Sequence, residues 1–101
     1  MELKEHLIAA RALIADEGDW GQGEDRCRAC ALDALRIEED MTDDDPRAIK
    51  ATEALRLALP ASFTDDPNNW NHPVAQFNDR SETRHADVLA LYDRAIEMAG
   101  V

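Results

Sequence analysis

Few residues in this chain have the type and spacing to do chemistry, and each set points more readily to structure than to reaction. Cys27-Arg28-Ala29-Cys30 has the spacing of half a zinc site or of a thiol redox pair. There is no second cysteine pair, and His6, His72 and His85 show no ligand spacing, so two buried structural thiols are the expectation. The acidic runs lack the alternating Asp/Asn pattern, with glycine at the sixth position and glutamate at the twelfth, of a calcium-binding helix-loop-helix. Gly18, Gly21 and Gly23 lie between predicted helices rather than after a strand, and no Lys-Ser/Thr follows them, which argues against a phosphate cradle. No serine stands beside a histidine, so nucleophilic hydrolysis has no visible constellation. Carboxylate pairs such as Asp79 and Asp87 could meet in space, but among 22 acidic residues that possibility discriminates nothing. No catalytic residue, metal or cofactor is assigned.

The elements that must position these residues are helical. The 101 residues are one domain's worth, enough for one core, and 45% are apolar while only five are aromatic. A core of Ala, Leu and Ile favours closely packed helices. Leu3, Leu7, Ala10 and Ile14 predict an amphipathic helix over residues 2–15. Cys27, Cys30, Ala31, Ala34 and Ile37 give a second apolar stripe over 25–38, behind acidic starters Glu24 and Asp25. A third helix starts with Asp45 as cap and Pro46 at the first helical position, places Ala48, Thr52, Leu55 and Leu59 inward, and ends at Pro60.

Residues 60–81 are rich in Pro and Asn; Phe63, Trp70, Val74 and Phe77 should pin them down. An unstructured loop of about 20 residues is rare unless functional, so a short helix is predicted near 74–78. The last helix, 83–99, begins at Thr83 and turns Val88, Leu91, Tyr92, Ala95 and Met98 inward. The fold class is thus all-α, about four helices in one compact bundle with a Pro/Asn-rich loop before the last.

The net charge of −11 is concentrated at helix junctions. Asp16, Glu17, Asp19, Glu24 and Asp25 fall in one base-free stretch, and Glu38, Glu39, Asp40, Asp43, Asp44 and Asp45 in another. Acids ahead of a helix cap N–H groups and suit the positive dipole end, which accounts for Glu24, Asp25, Asp44 and Asp45. Asp16, Glu17, Asp19 and Glu38 to Asp40 follow helices, where negative charge is mildly unfavourable. Solubility is one reason to keep them there, and binding a basic partner is another. Direct nucleic-acid binding is disfavoured by the sign of the charge. No run approaches a membrane span and the start lacks a signal segment, so the expected place is the cytoplasm. Nine Arg against two Lys, with abundant Ala, hint at a GC-rich bacterial or phage genome.

Three short motifs, Trp20-Gly21-Gln22-Gly23, Cys30-Ala31-Leu32-Asp33-Ala34 and Phe77-Asn78-Asp79, precede the last helix in that order. Together they resemble a bacterial and phage domain family of unknown function whose members carry W-x-Q-G, C-x-x-G-A and W-N-D. Asp33 stands where that pattern has glycine, and Phe77 where it has tryptophan. The resemblance implies a pattern without an activity. Read physically, Trp20 folds back on the core, and Asn78-Asp79 bond the backbone in a tight turn before the last helix. Read functionally, Trp20, Gln22, Asn78 and Asp79 line one cleft for a small polar ligand. The leading expectation is a binding protein that presents its acidic junctions, Asp16, Glu17, Asp19, Glu38, Glu39, Asp40, Asp43 and Asp44, to a basic protein surface, as a modulator or a mimic of DNA charge. The alternatives are a small enzyme or ligand binder at that cleft, and an assembly protein that associates through spare helix surface. The oligomeric state is left open.

Overall fold

The computed structural model describes residues 2–21, 31, 33–35, 45–64, 66–69 and 72–100. Helix α1 spans Leu3–Leu13 and buries His6, Leu7 and Ala10, with Ile14 buried just beyond its end. Helix α2, Pro46–Leu57, starts as its sequence predicts: the Asp45 side chain accepts from Arg47 N at 2.9 Å, and Pro46 needs no partner. It buries Ala48, Ala51 and Leu55, while Thr52 and Leu59 are half-buried. Helix α3, Pro73–Asp79, opens the same way, with His72 Nδ1 accepting from Val74 N at 3.1 Å ahead of Pro73.

Helix α4, His85–Ala99, buries Val88, Leu91, Tyr92 and Ala95. It begins two residues after Thr83. The carboxylate of Asp87 caps the Arg84 N–H at 2.9 Å, while Thr83 is buried with its hydroxyl accepting from Arg80 Nε. Met98 does not turn inward as its spacing suggests and is 48% exposed.

One apolar cluster joins the four helices, running from Leu7, Ala10 and Ile14 through Leu55 and Val74 to Leu91 and Tyr92. Phe63 packs against it from the loop, edge-on to Phe77. Helices α1 and α4 run antiparallel: Ile14 meets His85, Arg11 pairs with Asp93 at 2.8 Å, and Lys4 reaches Gly100. The result is an all-α bundle, with no strand and no helix long and apolar enough to cross a membrane among the described residues.

The helix expected over 25–38 needs correction where it is described. Ala31 lies in a turn and Asp33–Leu35 form one short 3-10 turn. Of the expected stripe, Ala31 and Ala34 are described and buried, as is Leu35, which the stripe did not include; the backbone is what differs. Side chains from two other helices claim the peptide groups of Ala31, as shown next. Cys27, Cys30 and Ile37, with Glu24 and Asp25, lie outside the described residues.

Candidate functional site

Four polar side chains from three helices hold the chain between α1 and α2, and Asn78 is the busiest of them. It is fully buried on α3. Its Oδ1 accepts from Trp20 Nε1 at 2.7 Å and from Ala31 N at 3.0 Å; its Nδ2 donates to Gly21 O at 3.1 Å and to Asp79 Oδ1 at 2.9 Å. A buried amide is tolerable only when its donors and acceptor are matched in this way. The Tyr92 hydroxyl donates to Ala31 O at 2.6 Å, so both peptide groups of that residue bond to side chains rather than along a helix. His6 Nε2 donates to Leu35 O and His85 Nε2 to Ile14 O, each at 2.6 Å. Because a carbonyl can only accept, both rings carry their proton on Nε2. The His85 ring lies 5.7 Å from the indole of Trp20.

Two of the four residues expected to line one cleft, Trp20 and Asn78, therefore do meet, but in the interior and bonded to each other. Asn78 bonds the backbone as expected, although the backbone is that of remote Gly21 and Ala31 rather than of its own turn. Asp79 is exposed at the end of α3, and Gln22 lies outside the described residues.

A cleft does open next to Asp79, and Trp20 is not among its lining residues. It holds about 320 Å³ and is lined by Phe63, Thr64, Asp66, Gln76, Asp79 and Arg80, among others. Its polar side chains are tied down. Asp66 N donates to Gln76 Oε1 at 2.7 Å, and Asp66 Oδ1 accepts from Asn68 N at 2.9 Å. The Arg80 guanidinium lies 5.1 Å from the Phe63 ring centroid and 4.8 Å from that of Phe77. Of these residues, the sequence reading names only Asp79 as lining a cleft; all of them come from the long Pro/Asn-rich stretch, whose length it accounts for by a short helix near 74–78.

The acidic residues are placed unevenly. Asp16, Glu17 and Asp19 form an exposed 3-10 turn after α1, with Asp16 Oδ1 accepting from Gly18 N. The His85–Ile14 bond sets that turn beside the start of α4, which carries exposed Glu82 and Asp87. The Asn78 bonds set Gly21 beside exposed Asp79. Among the described residues, exposed Asp16, Glu17, Asp19, Asp79, Glu82 and Asp87 thus lie on or next to segments that these bonds join, with Arg80, which lies over the two phenylalanines, and exposed Arg84 on the same segments; exposed Glu2, Glu5 and Glu97 lie at the other ends of α1 and α4.

Asp45 is the described end of the second acidic run and stands at the start of α2. Asp45 is held down at about 2 mainly by its hydrogen bond to the Arg47 side chain. Glu38, Glu39, Asp40, Asp43 and Asp44 lie outside the described residues. No group of metal-ligating side chains occurs among the described residues.

This small helical bundle, pinned through a buried asparagine, belongs to a family of unknown function. It is DUF6197, whose model matches residues 1–98. No curated protein and no solved structure is significantly similar to the chain.

Proposed function

We propose that the protein is a binding protein that presents its acidic end to a basic protein surface, as an inhibitor or a mimic of DNA's charge. The observation that carries this reading is the convergence of Asp16, Glu17, Asp19, Asp79, Glu82 and Asp87, all exposed, from three separate parts of the chain. Asp16 caps the 3-10 turn, but no side-chain cap is made by Glu17 or Asp19 among the described bonds, and all three follow α1, where they oppose its dipole. Such a field steers a basic partner into place and accelerates association more than it tightens the complex. The partner is a cytoplasmic protein of the bacterial or phage-infected cell, and nucleic acid does not bind directly.

The test is retention of host proteins on the immobilised chain at low salt, run beside the triple variant Asp16→Asn, Glu17→Gln, Asp19→Asn. The expected result is a basic protein held by the wild type, weakened with the variant and released by salt of about 0.5 M, where the screening length falls to a few ångströms. Retention indifferent to both salt and variant would remove the electrostatic basis of the reading.

A further inference from the structure

We infer that the cleft between α3 and residues Phe63, Thr64, Asp66 and Asn69 is the anchor pocket of this surface and receives one basic side chain, arginine or lysine, of the partner; this rests on the acidic-end reading. Asp79 belongs both to the acidic end and to the wall of the cleft, so a basic surface drawn to the one arrives at the mouth of the other. The lining has the parts that a long cationic side chain uses. Asp66 and Asp79 supply carboxylates, Gln76 an amide, and the Phe63 ring an apolar wall for the methylene stem. Arg80 is the opposing charge. Its Nε stands 3.5 Å from Glu82 Oε1, which offsets it, and its guanidinium lies across the two phenylalanine rings.

The walls are held before anything arrives. Asp66 Oδ1 is fixed by Asn68 N, Gln76 Oε1 by Asp66 N, and Asp79 Oδ1 by Asn78 Nδ2, so binding would order few side chains. At about 320 Å³ the space sits at the lower end of small-molecule pockets, which suits a single side chain. Interfaces commonly concentrate their affinity in such an anchor, with arginine among the residues most often found there.

The experiment uses the full chain, isotope-labelled, titrated with N-acetyl-arginine amide and with a nona-arginine peptide at low salt. Both should shift amide resonances of residues 63–69 and 76–80. Thr64→Trp, which fills the mouth from an exposed position without changing charge, should weaken the peptide roughly tenfold. Asp66→Asn, which keeps the turn acceptor, should weaken it too. Circular dichroism checks that each variant keeps the helical fold. Peptide binding with shifts confined to 16–20 and 82–87, and unaltered by Thr64→Trp, overturns the pocket and leaves the acidic end standing. Absence of any peptide binding at low salt overturns the acidic-end reading, and the pocket with it.

Discussion

Asn78 shows how much one side chain can hold when its hydrogen-bonding groups are placed in the interior. Truncation in Asn78→Ala leaves Trp20 Nε1, Ala31 N and Gly21 O without this partner, and an orphaned buried group costs roughly 1–3 kcal/mol. The expected loss is at least about 3 kcal/mol, out of a total of about 5–15 kcal/mol for a domain, read as a lower denaturant midpoint. Asn78→Asp should also be severe despite its shape, since a carboxylate cannot donate to Gly21 O and would bury charge beside Asp79. Recovery of wild-type stability in either variant would contradict the pinning role.

His72 provides a pH test at the same scale. Burial pushes its imidazole below the ordinary value, partly countered by Glu53, and its unprotonated Nδ1 is what accepts from Val74 N. A folded-state value below the unfolded one means that stability is full above the unfolded value of 6.5 and is lost as pH falls through the folded value. Thermal midpoints should therefore drop on acidification from pH 7.5 towards 5. His72→Asn, which caps without titrating, should flatten that part of the slope.

At the scale of elements, the Asp45 cap and Pro46 were readable because they are local chemistry, and the structure adds a second start of the same kind. Asp45 and Pro46 begin α2, and His72 and Pro73 begin α3, through bonds spanning two residues. Asp45→Ala should lower the melting temperature, and Asp45→Asn much less, since the amide oxygen still accepts from Arg47 N. With its carboxyl at about 2 against an ordinary 3.8, the charge-dependent share of Asp45's contribution is complete above pH 3.8 and lost only as pH falls through about 2. A melting temperature unchanged in Asp45→Ala at neutral pH would show that the cap is idle. Residues 25–38 misled for the opposite reason. Apolar periodicity reports which side chains turn inward, and Ala31 and Ala34 do so. It does not report that Asn78 and Tyr92, 47 and 61 residues further on, will take the peptide groups of Ala31.

For the whole molecule the governing quantity is the net charge of −11. Like charges in excess repel in the folded state, so added salt should raise the melting temperature, as measured between about 20 mM and about 500 mM NaCl. A fall over that range would mean that attractive pairs such as Arg11–Asp93 outweigh the repulsion. The sequence by itself determined the all-α class, the start of α2, the inward faces of α1 and, Met98 apart, of α4, and the excess of negative charge. All of these follow from composition, from periodicity, or from contacts within one helical turn. Only the tertiary structure decided where the polar residues go. Trp20 and Asn78 could have walled a cleft, but the bonds from α3 to Trp20, Gly21 and Ala31 turned them towards each other. Asp79, the very next residue, was left at the surface beside a cleft built from residues 63–80. Pairings between residues dozens of positions apart are set by how the helices dock, and no local pattern encodes them. The meeting of the α1 turn with the start of α4, which sets scattered acids on joined segments, was decided in the same way.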